Sequence, residues 1–287
     1  GTAELPHDQR SDDSKSVCFD SEFLDKPLEL LGTSFLRLKL SSDRECGLIC
    51  VRLCDLSPEG SSTLITYGIL NLKLRNGREC IADVKANELL DVTIRLNDTG
   101  WRLKKGHRLR LALSTQMWPM AWPISEVAAI TVYMDTSQLE LPVRTPTDKE
   151  KCFTQLELAE AADAPPHTIL RDPSGSRKIT SDLKTGDIRY EIETDGGEIK
   201  FEKSGLIYGS TNDQRYVIND ASPCSAKAEY RAKFSFSRNE WKTSTESELI
   251  VTCDEAYFFL HGSILAYEDD TQVFVKHWDT KIPRVVY

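Results

Sequence analysis

The sequence predicts an all-β protein built from two consecutive antiparallel units. Three observations carry that prediction: polarity alternates with period two through most apolar stretches, turn signals recur between them, and helical periodicity is scarce. In Phe35-Leu-Arg-Leu-Lys-Leu40 the leucines at 36, 38 and 40 point one way, and Arg37 and Lys39 point the other.

The remaining elements of the first half follow the same logic. Gly47-Leu-Ile-Cys-Val-Arg-Leu-Cys54 and the run from Leu64 to Leu74 are longer and more uniformly apolar, which predicts central strands. Asp91-Val-Thr-Ile-Arg-Leu96 alternates, with Val92, Ile94 and Leu96 inward. His107 to Thr115 places Leu109, Leu111 and Leu113 inward and Arg108 and Arg110 outward. Ala129-Ile-Thr-Val-Tyr-Met134 and Gln138-Leu-Glu-Leu-Pro-Val143 close the half as two further strands. Ser57-Pro-Glu-Gly60, Arg75-Asn-Gly-Arg78 and Lys104-Lys-Gly106 supply the chemistry that reverses a chain. About seven or eight short strands spaced this way predict a two-sheet β-sandwich of the jelly-roll kind, and a barrel has no positive support.

The polar, proline-bearing stretch 141–150 is the expected boundary, dividing the chain into 1–145 and 146–287. Leu156-Glu-Leu-Ala-Glu-Ala-Ala162 predicts a helical turn or two, stopped by Pro165-Pro166. Strands then resume at Ile188–Ile192, Glu229–Phe236, Leu249–Thr252 and Gln272–Trp278, with Asp195-Gly-Gly197 expected as a hairpin turn. These segments carry more outward charge and predict a second antiparallel β domain.

The 287 residues carry a net charge of -9, which lacks the electrostatic footprint of a nucleic-acid binder. The basic run Arg102-Leu-Lys-Lys-Gly-His-Arg108 reads as a solvated turn joining two strands. No apolar run reaches the roughly 18 residues of a membrane helix. The polar start lacks the apolar core of a signal peptide and has no initiator methionine, so a fragment or processed product is expected. Eight cysteines form no C-x-x-C pair. Cys46, Cys50 and Cys54, four apart, share one strand face and read as small buried hydrophobes. Such cysteine usage leans toward a reducing, cytoplasmic compartment. The Asn97-Asp98-Thr99 triplet does not alter that.

Catalytic signals are missing where they should be. No G-x-S-x-G elbow occurs, Gly32-Thr-Ser34 runs on into Phe35-Leu36, and Ser174 and Ser204 lie in polar loops. Among His7, His107, His167, His261 and His277 no metal-binding spacing appears, and acidic clusters such as Glu268-Asp-Asp270 fall in turns. No cofactor and no metal site is expected, and the chain alone is expected to be inactive.

Specific words then matter. Pro6-His-Asp-Gln-Arg-Ser-Asp-Asp-Ser-Lys-Ser-Val-Cys-Phe-Asp20, Pro27-Leu-Glu-Leu-Leu-Gly32, Leu40-Ser-Ser-Asp-Arg44, Val51-Arg-Leu-Cys-Asp-Leu-Ser-Pro-Glu-Gly60 and Gly106-His-Arg-Leu-Arg-Leu-Ala-Leu-Ser114 before Trp118-Pro119 occur in order. Together they resemble the C-terminal β-sandwich of cocaine-esterase and X-prolyl dipeptidyl-peptidase serine hydrolases, over about residues 5 to 143. Residues 146–287 are similar to an extra segment of some bacterial members. The resemblance implies a galactose-binding-like jelly roll. It also implies a non-catalytic region packing on an N-terminal α/β-hydrolase catalytic domain of the same protein, with a homo-oligomer as a possible assembly. None of the catalytic residues falls in this chain. A stand-alone carbohydrate- or ligand-binding β-sandwich module is the alternative.

Met117-Trp-Pro-Met-Ala-Trp-Pro123 concentrates apolar surface in a segment that prolines keep out of regular structure. Tryptophan gives rigid contact area and methionine adapts to irregular shapes. Trp118, Met120 and Trp122 are therefore the candidates for interdomain or ligand contact. The plainer alternative is that both rings plug the end of their own sandwich.

Overall fold

The computed structural model describes residues 8–145 and 159–285. The chain divides into a unit reaching residue 155 and a unit spanning 156–285.

In the first unit a single helical turn, α1 (Arg10–Asp13), precedes nine strands: β1 (Val17–Asp20), β2 (Leu28–Gly32), β3 (Phe35–Ser42), β4 (Leu48–Leu56), β5 (Ser62–Asn71), β6 (Leu90–Arg95), β7 (Thr99–Leu103), β8 (Arg108–Ser114) and β9 (Ile130–Glu140). One sheet has the order β1-β8-β4-β5. Facing it are the three-stranded β6-β3-β9 and the pair β2-β7. All pairings are antiparallel. The result is a β-sandwich.

Alternation explains the core. Leu36, Leu38 and Leu40 of β3 meet Val92 and Ile94 of β6 and Ile49, Val51 and Leu53 of β4, all buried in one cluster. Each such side chain stabilises the fold by about 1.5–3 kcal/mol relative to exposure. Strand β4 is buried on both faces. Its odd-numbered residues enter the core, whereas Leu48 and Cys50 join a second cluster with Cys46, Ile124 and Ala128 on the opposite side. That second cluster explains why β4 reads as continuously apolar. Strand β5, by contrast, is the margin of its sheet, and its apolar run ends in a 3₁₀ turn at Leu72–Leu74.

Two expectations in this half change. The two segments expected within 129–143 form one continuous strand, β9 (Ile130–Glu140), with the ladder to β3 slipping between Arg37 and Lys39. The slip absorbs the break in alternation that suggested two strands. Strands β1, β2 and β7 are four or five residues long, too short for periodicity to announce them.

The second unit is one eight-stranded antiparallel sheet: β10 (His167–Arg171), β11 (Ser174–Ser181), β12 (Asp187–Phe201), β13 (Ile207–Asn219), β14 (Ser222–Arg238), β15 (Trp241–Cys253), β16 (Tyr257–Glu268) and β17 (Thr271–Pro283). From β12 to β17 every strand pairs with its sequence neighbours, while β10 and β11 both lie against β12. The expected helix over 156–162 falls partly outside the described residues, and 159–166 is irregular. Asp195-Gly-Gly197 is not a hairpin turn. It is a bulge inside β12, between Asp195 and Glu198, where Gly197 takes φ +72° and lies against the carbonyl of Arg171.

The register sorts the two faces of this sheet. One carries Tyr190, Tyr216, Tyr230, Phe234, Phe236, Leu249, Leu260 and Trp278. There Tyr190 stacks on Tyr216 at 6.0 Å, and Tyr216 meets Tyr230 edge-on at 5.7 Å. The other carries ion pairs, among them Arg215–Glu191 (3.0 Å), Arg231–Glu248 (2.7 Å) and Lys233–Glu246 (2.8 Å). Gly262 is required by the aromatic face, since a Cβ there would stand 2.3 Å from the Trp278 indole.

Candidate functional site

The loop from β8 to β9 carries the aromatic segment. Met117 and Ala121 pack on the cluster formed by Cys46, Leu48, Cys50, Ile124 and Ala128, so they anchor the loop to the outer side of the β1-β8-β4-β5 sheet. The Ala121 amide donates to the Met117 carbonyl (3.0 Å) and closes a turn that holds Trp118, Pro119 and Met120, with the Trp118–Pro119 bond cis. Past Ile124, the Ala129 amide donates to Asp43 Oδ1 (2.8 Å), fastening the far end. Held this way, Trp118 and Trp122 meet edge to face, centroids 4.8 Å apart at 72°. Trp118, Met120 and Trp122 are each half-buried. The structure thus brings the two predicted rings together. Buried anchoring falls instead to Pro123 and Ile124, with Met117 and Ala121 partly buried beside them.

Beside this loop, on the same side of the same sheet, lies a charge cluster that strand patterning leaves unannounced. Arg52 and Asp13 are each only 5% exposed, and Nη1 stands 2.9 Å from Oδ1. Arg52 also donates to Gln9 (2.8 Å) and to Ser16 Oγ (2.9 Å). Arg110 reaches Asp13 (3.1 Å) and grips Asp20 through Nε and Nη2 (2.7 and 2.8 Å). The Arg110 hydrogen bonds hold the Asp20 carboxyl below its usual range, with help from nearby Arg108. Together these contacts fasten the leader, α1 and β1 across β8 and β4. The only sequence signal was an arginine at alternating positions in otherwise apolar strands.

Cys46, Cys50 and Cys54 behave as packing residues. Burial pushes the Cys50 and Cys54 thiols up to about 12, so neither is a thiolate at neutral pH.

His107, His167 and His261 have partners other than serine. His107 Nδ1 lies 2.6 Å from Asp55 Oδ1, and Trp101 Nε1 donates to Asp55 Oδ2 (3.0 Å). His261 pairs with Asp279, and His167 sits 2.9 Å from the Pro165 carbonyl. His7 lies outside the described residues. Among the described residues no serine hydroxyl is hydrogen-bonded to any of these imidazoles, and no group of three or more His, Cys, Asp or Glu side chains could hold a metal ion. In the second unit an open depression of about 310 Å³ on the charged face is lined by Asp213, Arg231, Lys233, Glu246 and Glu248. Its two cations already face carboxylates, Arg231 on Glu248 and Lys233 on Glu246.

The family described as the X-Pro dipeptidyl-peptidase C-terminal non-catalytic domain matches residues 2–174. The chain belongs to this family. The match covers the whole described sandwich of this non-catalytic domain and ends at the start of β11, leaving most of the second sheet beyond it. The cocaine esterase of Rhodococcus sp. (strain MB1 Bresler) is 28% identical over 116 residues, 40% of this chain and 20% of that protein. The Xaa-Pro dipeptidyl-peptidase of Streptococcus pneumoniae serotype 19F (strain G54) is 36% identical over 92 residues, 31% of this chain and 12% of that protein. A solved α-amino acid ester hydrolase superposes with a TM-score of 0.46 at 22% identity, over 48% of this chain and 27% of its own. The matched stretches therefore cover a fifth or less of the curated relatives. A stand-alone binding module is not favoured.

Among the described residues no helix is long and apolar enough to cross a membrane.

Proposed function

We propose that this chain is the C-terminal portion of a serine hydrolase of the ester or X-Pro dipeptide type. In this reading it packs on an N-terminal α/β-hydrolase domain of the same protein and borders its cleft through Trp118, Met120 and Trp122. One observation carries the assignment: two tryptophans fixed against each other, half-buried, on a loop that Met117, Ala121 and Ile124 anchor to the sandwich. Rings held in one arrangement lose little entropy on docking, and burial of one further ring contributes about 2–3 kcal/mol. The sandwich is read as a galactose-binding-like jelly roll, with β3 between β6 and β9 and β4 between β5 and β8 in support. A domain division at 145/146 and a homo-oligomeric assembly belong to the same proposal. Residence in the cytoplasm is supported by Cys46, Cys50 and Cys54, which lie buried without forming a disulfide.

The test uses the longer polypeptide that includes the hydrolase domain. Trp118→Ala/Trp122→Ala is expected to lower its thermal midpoint and raise KM for a p-nitrophenyl ester or an X-Pro anilide, while the isolated chain keeps its fold. Unchanged midpoint and kinetics in the double variant would overturn the docking assignment.

A further inference from the structure

Strand β17 is an outer strand of its sheet and pairs only with β16. All thirteen of its residues are exposed. They include Val273, Phe274, Val275, Trp278 and Ile282, at 38–58% exposure. A strand of this length presents about 40 Å of unpaired backbone N–H and C=O groups. Sheets normally blunt such a margin with short strands, bulges or charge. The opposite margin does so: β10 and β11 have five and eight residues, β10 is broken between Ile169 and Arg171, and Arg171, Arg177 and Lys178 stand along them. In β17 the one irregularity lies at the start, the ladder runs regularly from Phe274 to Pro283, and its charges, Lys276, Asp279 and Lys281, alternate in sign along the edge.

The geometry points to β17 as a docking edge for a second copy of this chain, the two β17 strands pairing antiparallel about a two-fold axis at Trp278. Charge selects that centre. With Trp278 opposite its own copy, His277 of each chain faces Asp279 of the other, Phe274 faces Ile282, Lys276 faces Thr280 and Lys281 faces Val275. Two His–Asp pairs form, each through an Asp279 carboxylate that already meets His261 of its own chain, and no like charges oppose one another. Centring one residue earlier sets His277 against His277 and Asp279 against Val275. Centring one residue later sets Asp279 against Asp279. A two-fold axis normal to the sheet also keeps like faces together, so the aromatic face continues across the junction and the ion-paired face does the same. Backbone pairing supplies the attraction, and the side-chain register supplies the choice of partner. This assignment specifies the homo-oligomeric assembly of the proposed function, but it concerns the sheet alone and would stand if the docking of Trp118 and Trp122 failed.

Sedimentation velocity of the full 287-residue chain, from about 1 to 200 μM, tests it, since this range brackets ordinary micromolar association. The expected result is a monomer–dimer equilibrium. Val275→Lys, which opposes Lys281 of the other copy, should weaken it at least tenfold, and His277→Asp, which opposes Asp279, should act likewise. Lys276→Glu, opposite Thr280, should leave it unchanged. Far-UV circular dichroism identifies any variant that fails to fold, and the two weakening variants substitute for each other. A chain that stays monomeric throughout, or a dimer indifferent to both weakening variants, would overturn the assignment. Capture of an unrelated strand in place of a second copy would overturn it as well.

Discussion

Removing Arg52 tests how the leader is fastened to the sandwich. Arg52→Met keeps much of the apolar stem but deletes the guanidinium that faces Asp13 at 2.9 Å, Gln9 at 2.8 Å and Ser16 at 2.9 Å. Breaking a buried ion pair from one side costs about 3–5 kcal/mol, because the remaining charge stays desolvated. Here Asp13 keeps Arg110 at 3.1 Å, which places the expected loss near the lower bound, about 3 kcal/mol. At about 1.4 kcal/mol per tenfold, this is roughly a 150-fold shift in the unfolding equilibrium. Urea unfolding followed by tryptophan emission reads it, since Trp101, Trp118 and Trp122 all lie in the sandwich. With a slope near 2 kcal/mol/M, the midpoint should fall by about 1.5 M. Arg52→Met/Asp13→Leu should recover part of the loss, because no carboxylate is then stranded. The exposed pair Arg37–Glu140 serves as the control, and Arg37→Ala should cost well under 1 kcal/mol. A loss below 1 kcal/mol for Arg52→Met, or strict additivity in the double variant, would refute the reasoning.

Other outcomes follow from the same geometry. Asp20 is held below its unfolded value, so its contribution is complete above that value and is lost as pH falls through the folded one. Unfolding free energy should therefore drop below about pH 4, and Arg110→Met should flatten that slope. Cys50 and Cys54, buried with thiols pushed up to about 12, should resist a disulfide reagent at pH 8 in the native chain, whereas exposed Cys80 reacts at once. Rapid native labelling of Cys50 would show that the outer cluster is open. Gly262→Ala brings a Cβ to 2.3 Å from the Trp278 ring, so the indole must leave its place. A red shift in Trp278 emission, obtained by subtracting the spectrum of a Trp278→Phe variant, is expected, and an unmoved difference spectrum would contradict the packing.

Period-two patterning made the sandwich core readable residue by residue. Leu36, Leu38, Leu40, Val92 and Ile94 point inward as the alternation requires. It failed where alternation is interrupted or absent. The slip between Arg37 and Lys39 disguised one strand as two, and the bulge at Asp195–Glu198 imitated a hairpin turn because both use glycine for its backbone freedom. The loop of Trp118, Met120 and Trp122 was legible as a place where apolar surface collects without regular structure. Its anchoring was not, because Met117 and Ile124 meet Cys46 and Cys50 only after β4 has been covered on its outer side. The Arg52–Asp13–Arg110–Asp20 cluster joins a leader turn to two strands far along the chain. No local signal marks such long-range pairing.

Mass spectrometry of the purified chain after treatment with a fluorophosphonate probe addresses the non-catalytic assignment most directly. The account predicts no adduct on any serine and no ester turnover above buffer. One stoichiometric adduct on a single serine, with turnover abolished in step, would contradict it.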